Sequence, residues 1–317
     1  MAPGDEEEHV ISVFGSANMD LVAYTPVAPG RGETVTGRSF ATVPGGKGAN
    51  QAIAAAKASG AGAAFIGAVG DDAFGPVLRA ALADAGVDVS RLREVPGPTG
   101  IAHIVVDDDG GNSIIVIPGA NGAVTGPTPQ DLAVIARSDA LMLQLELPMD
   151  AVVAAARAAT VPVVLTPAPA AELPPELLAA VDLIVPNEHE AAAVTGHDDP
   201  GDALEALLEL VPEAVITLGD QGARYGSRTG ERLRVPAVPV RAVDTTAAGD
   251  AFAGALTVAR AEGLPVAEAL RFAATAAALS VRRAGAGTSM PARAEIDAAL
   301  RRTERPHGRP AGRHPGP

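Results

Sequence analysis

Short, uninterrupted apolar runs set between longer Ala- and Leu-rich stretches are the feature that most constrains this chain. VISVF, AAFIGAV, LMLQLEL, VPVVLT, VDLIVP and EAVITLG are short enough for strands and lack the polar alternation of a strand with one wet face. Each therefore predicts a strand covered on both sides. The intervening residues 48–59, 75–85, 149–159 and 202–210 have the composition and length of helices. Such alternation argues for an α/β fold with a mainly parallel sheet, because a parallel connection needs a crossover and the crossover helix covers a sheet face. Ligand sites then belong at the carboxyl ends of the strands.

Two regions, 21–43 and 99–118, break the alternation. They hold strand-like pieces such as TGIAHIVVD and NSIIVIPG, separated by the turn-like PGRGE and DDDGGN. These predict a small β-flap on the main domain, whose open edges and apolar face call for a second subunit or a closing motion. The segments 1–9 and 302–317 lack periodicity, the second being rich in Pro, Gly and Arg, and are expected to be disordered tails.

Composition narrows the partners. Among 317 residues, 24 Lys and Arg against 38 Asp and Glu give a net charge of −14, which argues against a general nucleic-acid or anionic-membrane surface. An anionic ligand must then be gripped locally. The absence of cysteine excludes disulfides, thiolate metal sites and a thiol nucleophile, and suits a reducing compartment. The acidic start MAPGDEEEH is unlike a signal or transit peptide, and no apolar run approaches the ~18 residues that span a bilayer. A soluble cytoplasmic protein is expected.

Three motifs carry chemistry. In AVDTTAAGDAFAGAL, the small residues Ala247, Ala248 and Gly249 precede Asp250 at the start of an apolar helix. A helix N-terminus presents unpaired N–H groups and partial positive charge, so it can receive a phosphate, and small residues let the anion approach. Asp250 beside that anion could take a proton from an attacking hydroxyl. Read as structure alone, the same stretch is a helix packed through small residues with Asp250 favourable to its dipole.

The second motif, VPGGKGANQAIAAA, runs from an extended segment into a helix. Gly45, Gly46 and Gly48 permit close backbone approach, Lys47 offers a charged donor, and Asn50 lies near the first turn. It is not a Walker A loop, since GxxxxGK(S/T) is absent, and a purely structural glycine turn is the plainer reading. In the third, VPNEHEAAAVTG, Asn187 and Glu190 are three residues apart. They would share a helix face and could order the water shell of Mg²⁺, or simply form a capping box. His189 between them reads as a surface residue.

Taken together, FGSANMDLV, VPGGKGANQA, FIGAVGDDAFG, LQLELP, VPNEHEAAAVTG, ITLGDQG and VDTTAAGDAFAGAL stand in the order and spacing of the ribokinase/PfkB family of carbohydrate kinases, which the chain resembles over about residues 10–300. The resemblance implies a three-layer α/β/α domain over residues 10–301, a central mainly parallel sheet, a β-sheet lid over the sugar, and homodimers that pair through the lids. It also implies ATP-dependent phosphorylation of D-ribose at O5, with Mg²⁺ accompanying ATP and K⁺ as an activator.

Carried over residue by residue, the resemblance makes Asp250 the general base, with the amides of Ala247, Ala248 and Gly249 facing the transferring phosphoryl group. Sugar hydroxyls fall to Asn18, Asp20, Gly46, Lys47, Gly48, Ala49, Asn50 and Glu146. Mg²⁺ and phosphate fall to Asn187 and Glu190, and the nucleotide to Gly249, Asp250 and the turn Thr217, Leu218, Gly219, Asp220, Gln221 and Gly222. The monovalent cation falls to Asp244, Thr246, Ser280, Arg283, Gly285 and Ser289, several through main-chain carbonyls. Two strings depart from the family's wording: Ala274 stands where many relatives carry Asn or His, and RRAGAGTSMP replaces TR-x-GAQ-x-S-x-P. Neighbouring readings keep the chemistry with 2-deoxyribose, another sugar or a nucleoside as acceptor, or keep the fold as a non-catalytic sugar-binding regulator. A dinucleotide oxidoreductase is disfavoured, because no GxGxxG follows the first strand.

Overall fold

Why the apolar runs become strands is plain from their burial: every residue of Ile11–Phe14 and of Ala63–Gly70 is buried, as both-face coverage requires. The computed structural model describes residues 10–303, so the expected tails at 1–9 and 302–317 lie outside the described residues except for 302 and 303. In chain order, β1 (Ile11–Phe14), β2 (Asn18–Tyr24) and β3 (Ser39–Gly45) lead into α1 (Lys47–Ser59), β4 (Ala63–Gly70), α2 (Phe74–Asp84) and β5 (Val87–Val95). Then come β6 (Gly100–Val106), β7 (Asn112–Ile117), α3 (Pro129–Ile135), β8 (Ala140–Leu143), α4 (Met149–Ala158), β9 (Val163–Leu165), α5 (Pro175–Leu178) and β10 (Leu183–Ile184). The chain continues through α6 (Glu188–Thr195), α7 (Pro200–Leu210), β11 (Glu213–Thr217), β12 (Ala223–Ser227), β13 (Arg232–Val235), α8 (Ala248–Ala261), α9 (Val266–Ser280) and α10 (Arg293–Thr303). Helix α10 thus runs two residues past the expected boundary at 301, carried by the buried Ile296 on its inner face.

Among the described residues, nine strands form one sheet in the order β13-β12-β11-β10-β9-β8-β1-β4-β5. From β11 to β5 all neighbours are parallel, and β12 and β13 add an antiparallel edge. The two sheet faces carry separate cores. One packs α1, α2, α8, α9 and α10 around Val13, Phe65 and Met142. The other packs α3 to α7 around Phe14, Ile66 and Leu143. Consecutive residues such as Val13 and Phe14 point into opposite cores, as the period of a strand dictates. The expected three layers are present. Of LMLQLEL only the first part pairs in the sheet, and the chain leaves β8 at Gln144.

Helices α1 and α8 cross at very short range. A Cβ added at Gly254 would lie 2.7 Å from the Ala54 Cβ and 3.0 Å from the Ala55 nitrogen. Four residues before each contact, on the same helix faces, stand Asp250 on α8 and Asn50 and Gln51 on α1. The small-residue crossing therefore sets the distance between those polar side chains.

The expected flap is a second, four-stranded sheet in the order β3-β2-β6-β7. It is longer than 21–43 and 99–118 suggested, because β2 already begins at Asn18 and β3 extends to Gly45. Its root is pinned by polar groups, of which Thr99 and Asn121 are buried and Asp72 half-buried. Asp72 accepts from the Thr99 amide at 2.9 Å and the Thr99 hydroxyl at 2.6 Å, while Asn121 accepts from the Ala17 amide at 3.1 Å. Every residue of the outer strand β7 is exposed, including Ile114, Ile115, Val116 and Ile117.

Candidate active site

The site is assembled where β1, β8, β9 and β10 end, between the lid and the start of α8. At its centre Asp250 is buried, in the first turn of α8. Asp250 Oδ1 accepts from Gln51 Nε2 at 3.0 Å, and Oδ2 accepts from Asn50 Nδ2 at 3.2 Å. Burial pushes its carboxyl up to about 6. The Lys47 ammonium and the two amide bonds oppose that rise, and Glu146 adds to it.

Helix α8 opens unusually. Its cap residue Ala247 has φ 58°, the one positive φ at a non-glycine among the described residues. That left-handed step turns the chain so that the first amides of the helix point out of its end. The earliest intrahelical bond is from Ala251 N to Ala247 O, which leaves the Gly249 and Asp250 amides without helical acceptors. A Cβ added at Gly249 would meet nothing within 4 Å, so there is open space beside the mouth of the helix. A phosphate fits there by both charge and room.

The GGKGAN turn is not shaped by the ligand alone. A Cβ at Gly48 would lie 2.5 Å from Ser16 N, and one at Gly46 would lie 2.7 Å from Asn18 N. These glycines let the start of α1 press onto the β1–β2 loop, where Ala49 N donates to Ser16 O at 2.9 Å. The structural reading of the turn and its place in a site are thus compatible. Glu146, just beyond β8, closes the arrangement by accepting from Lys47 N at 2.9 Å and from the Ser16 hydroxyl. Asn18 Oδ1 accepts from Asn121 Nδ2 at 2.7 Å, so the Asn18 nitrogen is the end left for another partner.

Charge is concentrated here. Burial would pull the Lys47 ammonium down, but Asp250, Glu146, Glu190 and Asp20 around it outweigh that and raise it. Asp20 is pushed up to about 7 by burial, then by Glu146 and Asp250, with Lys47 opposing. Acceptors of this kind, beside one ammonium and several amide donors, suit a ligand with many neighbouring hydroxyls.

Asn187 and Glu190 do form the capping box of α6: Glu190 N donates to Asn187 Oδ1 at 2.8 Å and Asn187 N donates to Glu190 Oε2 at 2.9 Å. Glu190 nevertheless acts on Lys47 across the cleft, and burial raises its carboxyl against the Asn187 bond, Lys47 and His189. Its Oε1 is open to a hydrated cation, whereas Asn187 has its oxygen turned into the cap. His189 is a surface residue, 90% exposed. The turn from Thr217 to Gly222 lies one strand further along, tied to the Asn187 loop by Thr217 N donating to Pro186 O at 3.0 Å.

Before α8, Asp244 accepts from Thr246 N and from Gly285 N, each at 2.9 Å. Burial pushes Asp244 up, but the bonds from Thr246 and Gly285 prevail and keep it below the usual carboxylate range. The ionised Asp244 thus joins the two loops that a monovalent cation would bridge. Of the other candidate ligands, Arg283 turns its side chain to Glu295, Ser280 bonds its hydroxyl to Ala277 O, and Ser289 bonds its own to Ala286 O. Only their main-chain groups and spare lone pairs are left for a cation. Ala274 is packed in the core of α9.

Gln51, Gln144, Ser16 and Asn121 belong to this cluster and were not singled out by the sequence. Each is buried. Its place beside Asn50, just before the apolar run AIAAA of α1, is the one signal that could have marked Gln51.

Residues 9–293 match the family model described as pfkB family carbohydrate kinase. The ribokinase of Schizosaccharomyces pombe is 42% identical over 306 residues, covering 90% of this chain and 96% of its own. That of Bacillus subtilis is also 42% identical, covering 92% and 99%. Among solved structures, ribokinase from Thermotoga maritima superposes with a TM-score of 0.86 at 38% identity, covering 92% of this chain and 99% of its own. Arabidopsis thaliana ribokinase, complexed with ribose and ATP, gives 0.86 at 35% identity, covering 92% and 98%. The chain, with its nine-stranded sheet, four-stranded lid and carboxylate at a helix mouth, belongs to the pfkB family of carbohydrate kinases.

Proposed function

We propose that this protein transfers the γ-phosphoryl group of ATP to O5 of D-ribose, giving D-ribose 5-phosphate and ADP. The observation that carries the reading is the mouth of α8, where free amides stand beside a buried carboxylate held by two donors. The similar ribokinases, one of them solved with ribose and ATP, support the choice of substrates. Residues 10–301 are read as one domain that includes the lid.

In this reading Asn18, Asp20, Lys47, Asn50, Glu146 and the main chain of Gly46 orient the sugar, while Gly48 and Ala49, whose amides donate to Ser16, hold the turn in place. Asp250 accepts the O5 proton as the new O–P bond forms and the bond from γ-phosphorus to the ADP oxygen breaks. The amides of Ala247 and Gly249, joined by that of Ala248 once its 3.3 Å bond to Thr245 O gives way, hold the charge that develops on the phosphoryl oxygens. Thr217 to Gly222 lie along the nucleotide. Glu190, with Asn187 beside it, would hold hydrated Mg²⁺, which neutralises phosphate charge when bound. Asp244, with the carbonyls of Thr246, Ser280, Arg283 and Gly285 and the Ser289 hydroxyl, would hold K⁺, which stiffens the loop carrying the α8 amides. An ATP-consuming enzyme needs a compartment supplied with ATP, which supports a cytoplasmic location; cell fractionation tests that assignment.

The assay is ADP release from ATP and Mg²⁺ with a panel of ribose, 2-deoxyribose, other pentoses and nucleosides. Ribose is expected to give the highest kcat/KM, and K⁺ in place of a bulky organic cation at equal ionic strength is expected to raise the rate. Preference for another acceptor would reassign the substrate. Release with none would leave a sugar-binding regulator, and indifference to K⁺ would remove the cation loop.

The lid is read as the contact of a homodimer. Ile115 is 64% and Phe40 62% exposed, on the two edge strands of the small sheet, and an edge this apolar needs cover. Sedimentation should give a dimer for the natural chain and a monomer for Ile115→Asp. A dimer that survives the substitution would place the contact elsewhere.

A further inference from the structure

Gln51 is a wholly buried amide on the inner face of α1. A buried amide is tolerated only when its polar atoms find partners, and Gln51 finds three on three separate segments. Its Nε2 donates to Asp250 Oδ1 at 3.0 Å and to Thr166 Oγ1 at 3.2 Å, and its Oε1 accepts from Gln144 Nε2. Gln144 follows β8 and Thr166 follows β9.

The direction of this chain of bonds follows from charge. An ionised carboxylate only accepts, so the nitrogen of Gln51 must face it; the oxygen of Gln51 then faces Gln144, which must donate. Gln51 cannot in that orientation accept a proton from Oδ1. Oδ2 differs, because its partner Asn50 has an Oδ1 with no hydrogen-bond partner and is free to turn. The two oxygens of one carboxylate thus stand in unequal surroundings.

Resting on the kinase reading above, we propose that Gln51, braced by Gln144, is a positioning residue that reserves Asp250 Oδ1 as a permanent acceptor and so directs the proton of the sugar hydroxyl onto Oδ2. The proton leaves the hydroxyl oxygen as that oxygen bonds to phosphorus, and it resides on Oδ2 until product leaves.

The charged groups facing Asp250 are Lys47 from α1, Glu146 from the loop after β8 and Asp20 from β2. Because Asp20 titrates in the same range, the informative quantity is kcat at saturating ribose, which reports groups in the bound complex. Gln51→Met keeps length and helix preference while removing the donor. A hydrogen bond to a charged group is worth roughly 10- to 100-fold. The expected result is therefore a fall in kcat of that order, an acid limb displaced to higher pH, and a KM for ribose within about twofold. The limb moves up because a donor that favours the ionised carboxylate has been lost. Gln51→Glu should recover part of the rate on the acid side, where the new carboxyl is protonated and can donate, and lose it as pH rises. If Gln51→Met does not fold, Gln144→Met, which unbraces Gln51 without touching Asp250, should displace the limb in the same direction by a smaller amount.

A lower melting temperature with the limb and kcat unmoved would reduce Gln51 to a packing residue and overturn the proposal. The kinase reading fails separately, if the natural chain releases no ADP with ribose or Asp250→Asn turns over normally.

Discussion

Asp250→Asn is expected to lower kcat by about 10²- to 10⁴-fold, the usual contribution of a positioned base, while making the protein more stable above neutral pH. Both effects come from one cause, the burial of an ionised carboxylate. Its folded value of about 6 lies above the ordinary 3.8, so between those values the folded state binds more protons than the unfolded one. Stability from this group is present at low pH and is lost as pH rises through about 6. Two units correspond to about 3 kcal/mol, as an order of magnitude. The replacement can be satisfied in place: its oxygen still accepts from Gln51, and Asn50 can turn its unpartnered Oδ1 to accept from the new amide. Melting curves should show a gain of roughly 5 °C at pH 8 and almost none at about pH 3.5, below both values. A gain equal at both values would mean that charge burial is not its origin.

The second large effect is expected for Gly48→Ala. At Gly48 a methyl group would lie 2.5 Å from Ser16 N, 2.7 Å from the Gly15 carbonyl carbon and 2.8 Å from the Gly15 Cα. All three are backbone atoms, so no side chain can rotate away. The start of α1 must move off the β1–β2 loop, at a cost of about 1–3 kcal/mol for overpacking. That end of the helix carries Lys47, Asn50 and Gln51, and the last two are bonded to Asp250. The substitution should therefore lower both Tm and kcat/KM, the latter by at least about 100-fold, since a displacement near 1 Å in a positioned site has that effect. Gly249→Ala makes the contrast. There the methyl group meets no protein atom, so Tm should hold while phosphoryl transfer suffers.

These expectations show where the sequence is transparent and where it is not. The strands β1, β4, β8 and β9 are legible because both faces are buried and the apolar run is unbroken. Strand β5 is not, since VDVSRLREV lies at the sheet edge and carries Arg91 and Arg93 out to Asp131. The edge strand β13 hides for the same reason, with Arg232 and Arg234 exposed, whereas β12 is almost wholly buried and hides because Arg224 and Gly226 interrupt its short apolar run. Asp250 stands out because a carboxylate among small residues at a helix start has a chemical purpose. Gln51 does not, because its meaning lies in a crossing of α1 and α8 that brings together residues 199 positions apart. The left-handed Ala247 is likewise invisible, since nothing in an alanine announces a positive φ. The glycines of GGKGAN are visible as a tight turn, but the atoms they approach belong to this chain as much as to any ligand.

The central claim is geometric: a sugar hydroxyl meets Asp250 in front of the α8 amides. A crystal structure of the protein with ribose and a non-hydrolysable ATP analogue measures this directly. The account predicts ribose O5 about 2.6–3.2 Å from Asp250 Oδ2, the range of a competent proton transfer, with the terminal phosphate at the Gly249 amide. Ribose bound with O5 turned away from Asp250, or the phosphate seated anywhere other than the mouth of α8, would contradict it.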